Sequence, residues 1–511
     1  FDIVKSCIVE LGFMRLLTSQ FIFLLFLLAF SPLNIAGEKI DLTLDRAVEI
    51  AMDNSYRIRQ LKLGIERSRQ WLRAEQAGLK SRIYMNVKAP EFRALSDYKW
   101  DSNLQKDVIV RQNTQRWWAN FAIRQPVILF GYATNGYLSL NNTLYQYNQL
   151  DGGFWDTNYY NRYFLKFEQP FFQPNRLKND LEEAELSLEE NELNFVDDQV
   201  DLIEDISRDY YELFSYSYTD IILERYINNL QRLQKIAECA EEAEDAKSID
   251  CIQIQIELTN SIEKRAQNMS DFRLESSRVK QRLRLNETDS LVVHPDIHIK
   301  KIHVDLNEAI QYGHTLRPRM RLLDISRRKR EIDLTNVKGW NAFRMNIEMT
   351  YGLEKQDESY RELWNEFDNS YSVTVNAYVP IWDWGQRQAR IAAQEITIRK
   401  TELYQEEMRN RIESEIKTAY QNLQEYQKRA LNMQNNMLMA EEITALSMEE
   451  YRKGDISLQD MLQTLTRQKE TEENFLEAYL GYRRSLIGLT IETYYDYENN
   501  MALLDKFRSS S

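Results

Sequence analysis

The chain has 511 residues, 28% of them charged, with a formal net charge of -14 and only 15 Gly and 8 Pro. So few turn formers argue against a string of compact, loop-rich domains, and the acidic balance argues against nucleic acid, whose phosphates select clustered Lys and Arg. With a mean hydropathy of -0.57, no window beyond the N-terminal segment suggests a spanning helix, so any membrane-spanning part is expected to be a β-barrel. Residues 1–13 read as upstream sequence not made in the cell, and 14–37 as a secretory signal. Its Met14-Arg15 start leads to an apolar run from Phe21 to Phe30, then Ser31-Pro32 and small Ala36-Gly37. A run of about ten residues is too short to cross ~30 Å of hydrocarbon as a helix.

Export implies an oxidising compartment. Cys7 would leave with the signal, and Cys239 and Cys251 remain, 12 positions apart across an expected helix-turn-helix. They fit either a staple between neighbouring helices or two buried thiols. No His or basic cluster lies near them to make a reactive thiolate.

The rest of the chain is written twice. A first repeat is expected over 38–295, a connector over 296–303, a second repeat over 304–495 and a tail over 496–511. In the first, L-T-L-D-R-A-V-E-I-A (from Leu42 to Ala51) opens a helical pattern that runs to Gly78. Candidate strands follow at 82–88, 117–127, 134–147 and 163–167, together spanning about 82–171. The two middle ones form a possible hairpin around F-G-Y-A-T-N-G, and 90–115 reads as an external loop. From 175 to 294 there are 120 residues without Pro or Gly, a pattern of long helices with a turn.

The second repeat begins with V-D-L-N-E-A-I-Q-Y-G, where Ala309 matches Ala47 and, further on, Arg319 matches Arg57. Its helical pattern runs to Gly339, and strands are expected within about 342–381, with 352–370 as an external loop. Phe343, Met345, Ile347, Met349 and Tyr351 alternate with Arg344, Asn346, Glu348 and Thr350. Tyr371, Val373, Val375, Ala377 and Val379 alternate with Ser372, Thr374, Asn376 and Tyr378. Strict alternation makes one apolar and one polar face. Between Gln386 and Lys453 lie 68 residues without Pro or Gly, enough for a helix of ~100 Å. Leu403, Met408, Ile412, Ile416 and Tyr420 recur along it as in a packed coiled-coil-like helix. The offset between copies holds at 210 from Pro170/Pro380 to Tyr210/Tyr420.

Three segments in order, A-V-E-I-A-M-D-N-S, P-I-W-D-W-G-Q-R-Q-A-R (from Pro380 to Arg390) and Y-R-K-G-D-I-S-L-Q-D-M-L (from Tyr451 to Leu462), resemble the TolC-type outer-membrane efflux proteins. The resemblance covers nearly the whole mature chain. It implies an α+β membrane protein with a duplicated strand/long-helix repeat, in which a homotrimer shares one outer-membrane β-barrel continued by a periplasmic α-helical barrel. Alternation then puts Tyr, Met, Phe and Val toward lipid and Arg, Asn, Glu and Thr toward a watery lumen. Trp117, Trp118, Tyr132, Tyr137, Trp382 and Trp384 are expected near strand ends, at the membrane interface or in ordinary packing. The possible extra hairpin departs from the simplest family pattern and raises the strands per protomer from four toward six.

By position, the resemblance assigns a channel aperture gate to Tyr451, Asp460 and Gln463, and a tip turn contacting an adaptor to Gly454, Ser457 and Leu458. Gln463 stands where a second aspartate would be and Ile456 where some members hold arginine, so a ring of Asp460 carries half the charge of a double ring. The alternative is that Asp460 is a solvated helix residue, with Asp455 and Ser457 as caps. The first repeat's turn, E-D-A-K-S-I-D-C-I-Q, aligns Ile249 with Ile456 but has Glu244 and Lys247 in place of Tyr and Gly.

Enzyme signals are weak. His294, His298, His303 and His314 fall within 21 residues, but an extended connector spreads them, so no metal site is expected. Glu182-Glu183 and Glu241-Glu242 belong on solvated helix faces. The expected function is a passive duct of a tripartite efflux or type I secretion system, carrying drugs, metals or exported proteins, with no cofactor. The implied partners are a periplasmic adaptor (membrane fusion protein) and, indirectly, an inner-membrane pump of RND, ABC or MFS type, besides outer-membrane lipid. The alternative is a structural surface stalk with a barrel anchor.

Overall fold

The computed structural model describes residues 39–130, 132–151, 154–239 and 249–508. The expected signal, the upstream segment and the first repeat's turn with Glu244 and Lys247 lie outside these. The elements in chain order are β1 (Lys39–Asp41), α1 (Leu44–Asn54), α2 (Tyr56–Gly78), β2 (Arg82–Asp101), β3 (Lys106–Leu129), β4 (Tyr132–Asp151), β5 (Phe154–Phe171), α3 (Arg176–Cys239) and α4 (Ile249–Leu283). Then come β6 (Ser290–Val292), α5 (Leu306–Leu316), α6 (Arg319–Gly339), β7 (Arg344–Asp357), β8 (Asp368–Tyr378), α7 (Gln386–Lys453), α8 (Leu458–Thr493), β9 (Tyr495–Asp496), β10 (Met501–Ala502) and α9 (Leu503–Arg508). This is an α+β fold in which α7 has the bounds that its Pro- and Gly-free run predicts. Among the described residues no helix is long and apolar enough to cross a membrane.

The duplication is structural as well. Thr43 caps α1 by accepting from Arg46 N–H at 3.2 Å, and Asp305 caps α5 by accepting from Asn307 and Glu308 N–H at 2.7 and 3.1 Å. Four residues on, Ala47 and Ala309 are both buried. Each expected single helix is in fact two, because Ser55 and Arg317 leave helical geometry; Arg317 precedes Pro318, and the residue before a proline is pushed toward extended backbone.

The chain forms two compact units. One holds residues 56–204, 300–428 and 481–508 and contains a six-stranded antiparallel sheet ordered β2-β3-β4-β5-β7-β8. The middle hairpin is therefore part of the sheet. The expected loop at 90–115 is instead mostly strand, with only 102–105 as a turn. Two features hid it. A register shift between Lys88 and Glu91, around Pro90, inverts the alternation, and the sequence from Arg111 to Arg116 holds no apolar residue to mark one. The second loop also narrows, to 358–367.

In the same unit, ion pairs align helices. Arg321 grips Glu189 bidentately at 2.6 and 2.8 Å, Arg328 meets Glu182 at 2.6 Å, and Lys329 meets Glu190 at 2.6 Å. Arg57 reaches Asp198 and Asp201 on α3 at 2.5 and 3.0 Å. In the second repeat the gripping residue is Arg317, two positions before the sequence match Arg319. It reaches Glu415 and Glu492 at 3.0 and 2.9 Å. The tail packs back, with Tyr494, Tyr497 and Leu503 buried.

The other unit comprises residues 39–55, 205–299 and 429–480 among those described. Its core joins Tyr226, Leu230 and Leu233 of α3, Ile254 and Leu258 of α4, and Leu458, Met461 and Leu465 of α8. Arg225 bridges Glu441 of α7 at 2.6 Å and Glu472 of α8 at 3.0 Å. Glu472 is 2% exposed and also accepts from Gln468, and burial raises its pKa against the pull of Arg225. Asp209 lies 3.0 Å from Arg282, yet burial pushes its carboxyl up to about 6.

A folded-state pKa above the unfolded value means that the native state holds the proton more tightly, so this stability is present below about pH 4 and is lost as pH rises through about 6. The parent is expected to lose up to about 3 kcal/mol across that window at Asp209, and Asp209→Asn to lack that part of the loss. Equal slopes of unfolding temperature against pH for the two proteins would refute it.

Candidate functional site

The sheet presents two chemically distinct faces. Register places Ile83, Met85 and Val87 of β2, Phe121 and Ile123 of β3, Leu138 and Leu140 of β4, Leu165 of β5, Met349 and Tyr351 of β7, and Tyr371, Val373 and Val375 of β8 on one side. Most of these are exposed. The other side carries Asn120, Arg124, Ser139, Asn141, Arg162, Lys166, Glu168, Glu348 and Glu354. Here Lys166 lies 2.5 Å from Glu168 and 3.1 Å from Glu348, Arg162 lies 3.0 Å from Glu354, and Arg124 lies 3.4 Å from Glu168. Among the described residues, the loop 358–367 packs on part of this band. That loop buries Leu363 and stacks Tyr360 on Tyr159 and Phe367 on Tyr163.

Matched junctions lead from strand to helix in each repeat. Asp383 accepts from the N–H groups of Gly385 and Arg387 at 3.0 and 3.1 Å and from the Asn341 amide at 3.1 Å. Gly385 has φ +80°, a conformation costly for any residue with a Cβ. In the first repeat Asn175 accepts from Lys178 N–H at 3.1 Å and donates to the Ala133 carbonyl.

In the helical unit, the turn from α7 to α8 is tightly specified. Gly454 has φ +83°, its N–H donates to the Tyr451 carbonyl at 3.0 Å, and the Asp455 N–H donates to the Glu450 carbonyl at 3.0 Å. These two bonds are a Schellman closure. Three positions on, Asp460 N–H donates to Ser457 Oγ at 3.2 Å, while Ser457 Oγ–H and N–H donate back to the Asp460 carboxylate at 2.6 and 3.3 Å. This is a reciprocal capping box with Asp in the usual Glu position. Asp460, Gln463, Gly454 and Ser457 are exposed. Tyr451 and Ile456 are half-buried against the core, and burial raises the Tyr451 hydroxyl pKa, with Asp250 and Cys251 nearby adding to it.

Residues 345–491 match the family model for the outer membrane efflux protein. The matched segment runs from β7 through α7 into α8. Among solved structures, CusC, described in terms of transmembrane channel formation, is 14% identical with a TM-score of 0.63, covering 91% of this chain and 95% of its own. The outer membrane protein VceC of Vibrio cholerae is 11% identical with a TM-score of 0.64, covering 88% and 95%. The CmeC outer membrane channel of Campylobacter jejuni is 11% identical with a TM-score of 0.63, covering 91% and 89%. No curated protein sequence matches the chain. The fold is thus that of the TolC-type outer-membrane channels.

Within this efflux-protein fold, several sequence expectations land elsewhere. Leu458, expected at the adaptor-contacting surface, is 5% exposed and belongs to the core, because it shares the buried face of α8 with Met461 and Leu465, three and seven positions on. Trp117 and Trp118 lie in mid-strand, since β3 begins at Lys106, whereas Trp382 and Trp384 are exposed beyond β8. His294 is 3.4 Å from Asp41, His298 is 3.1 Å from Asp296 and His314 is 3.6 Å from Glu413, in separate pairs. Cys251 is half-buried; the side chain of Cys239 lies outside the described residues, and with it the choice between a staple and two buried thiols.

Two exposed stripes went unread. Ile249, Ile252 and Ile256 on α4 and Met439, Ile443 and Leu446 on α7 recur at helical spacing. The first lines a groove of ≈ 650 Å³ with Leu462 and Gln463 of α8; Met439 and Ile443 of the second line one of ≈ 520 Å³ with Thr464 and Arg467.

Opening the box in Ser457→Ala is expected to cost about 1 kcal/mol of local stability, seen as roughly fivefold faster amide exchange at 458–461. Gly454→Ala should behave similarly because of its positive φ. Unchanged exchange in both would show that the caps do not hold this turn.

Proposed function

We propose that this chain is the protomer of a trimeric outer-membrane duct that works passively, with energy supplied by an inner-membrane pump through a periplasmic adaptor. The observation that carries this reading is the six-stranded sheet with one apolar and one charged face and, among the described residues, two open edges at β2 and β8. A sheet of this kind suits hydrocarbon outside and water inside, provided that other copies complete it. The unpartnered stripes on α4 and α7 support the same assembly, since two different apolar surfaces on one protomer favour head-to-tail rings.

The turn between α7 and α8 is the proposed aperture. Asp460 and Gln463 are exposed there beside half-buried Tyr451, and three copies of Asp460 would favour cations. Gly454 and Ser457, exposed at the same turn, are the proposed contact for an adaptor hairpin. Drugs, metals and exported proteins all remain within the cargo range of such a duct.

The purified signal-free chain in planar bilayers is expected to give discrete cation-selective openings. Asp460→Asn, which keeps an acceptor for the Ser457 cap but removes charge, should lower cation selectivity several-fold without loss of the oligomer. A folded oligomer that stays silent in both forms would overturn the duct reading.

A further inference from the structure

The edge strands of the sheet run in opposite directions. β2 rises from the end of α2 at Arg82, and β8 descends toward the start of α7 at Tyr378. An even number of antiparallel strands always gives such edges. β8 of one copy laid beside β2 of the next is then antiparallel, like every other pair in the sheet. The faces agree as well, because Ile83, Met85 and Val87 on β2 and Tyr371, Val373 and Val375 on β8 all expose side chains on the apolar side.

The β3–β4 hairpin cannot be treated as an appendage. β2 pairs with β3 from Arg82 to Asp101, and β4 pairs with β5 from Tyr137 to Asp151. Among the described residues β2 pairs with β3 and not with β5, so the hairpin is what joins β2 to the rest of the sheet. The hairpin also carries both faces of the wall, with Phe121, Leu138 and Leu140 on the apolar side and Asn120, Arg124 and Asn141 on the polar side.

We infer that the duct wall closes with all six strands of each protomer through β8-to-β2 pairing between copies, giving eighteen strands in a trimer. This rests on the duct reading and specifies its width. Barrel diameter grows roughly linearly with strand number, so this wall is about 1.5 times as wide as one with four strands per copy, in the range where porins keep an aqueous channel. Cargo size is therefore limited at the helical turns and not at the sheet. The ion-paired belt of Lys166, Glu168 and Glu348 lines the wider segment.

The test uses the full chain in outer membranes, with Cys239 and Cys251 replaced by Ser, and a short thiol-reactive crosslinker. Met85→Cys with Phe121→Cys, and Leu140→Cys with Leu165→Cys, should link within one chain. Val375→Cys combined in turn with Ile83→Cys, Met85→Cys and Val87→Cys should give a ladder ending at a covalent trimer for at least one pairing. Linkage of Met85→Cys to Leu165→Cys would place the hairpin outside the wall and overturn the inference, as would intrachain links without any ladder. Recovery of the chain outside the outer-membrane fraction would defeat the duct reading itself, and the wide wall with it.

Discussion

The rest of the structure depends on one constraint, the pairing of backbone N–H and C=O groups at the edges of the sheet. In water an open edge costs little, but in hydrocarbon each unpaired group costs several kcal/mol. β2 and β8 are both edges of a sheet whose apolar face is exposed. A monomer with these strands in a bilayer would be severely destabilised, so edge pairing and membrane residence are coupled. The same constraint accounts for the even strand number. An odd count would give parallel edges, and head-to-tail closure would then need a different hydrogen-bond pattern at every seam.

The helices must follow from strands that are already fixed in direction, which explains how much specification sits at the junctions. Asp383 gathers three donors, and Gly385 takes a conformation that any other residue would strain to reach. In the first repeat Asn175 does the comparable work. Pro174 occupies the space that a Cβ on Gly339 would need, at 2.2 Å, so Gly339 is set by close approach and not by its dihedral. These contacts tie the exit of one strand to the end of the helix that precedes another, within the sheet-bearing unit.

Features governed by one local rule were legible in the sequence. The bounds of α7 follow from Gly385 and Gly454, and β7 and β8 follow from alternation. The matched openings follow from the caps Thr43 and Asp305. Features governed by two competing rules were not. The upper halves of β2 and β3 carry a bulge at Lys88/Glu91 and a run from Arg111 to Arg116 without an apolar residue, which erases the period-2 signal. Arg317, and not its neighbour Arg319 that alignment matches to Arg57, is the gripping residue because it lies in the extended link between α5 and α6, from which its guanidinium reaches Glu415 and Glu492. At the turn, motif matching placed Leu458 with its polar neighbours, whereas its apolar side chain had only the core to enter.

The turn between α7 and α8 also shows how a structural and an electrostatic role can share one side chain. Asp460 holds the first turn of α8 through Ser457 and sits where the helix N-terminus already favours negative charge. Its carboxylate is consequently fixed in direction as well as in charge. A freely rotating acid would average its field over several positions, but a capped one offers the same position in every copy. Selectivity at an aperture built from such turns would then follow from how α8 begins, and any movement of α8 would carry the charge with it. The alternatives of cap and gate, which compete when Asp460 is read as an isolated residue, become compatible once its hydrogen bonds are known.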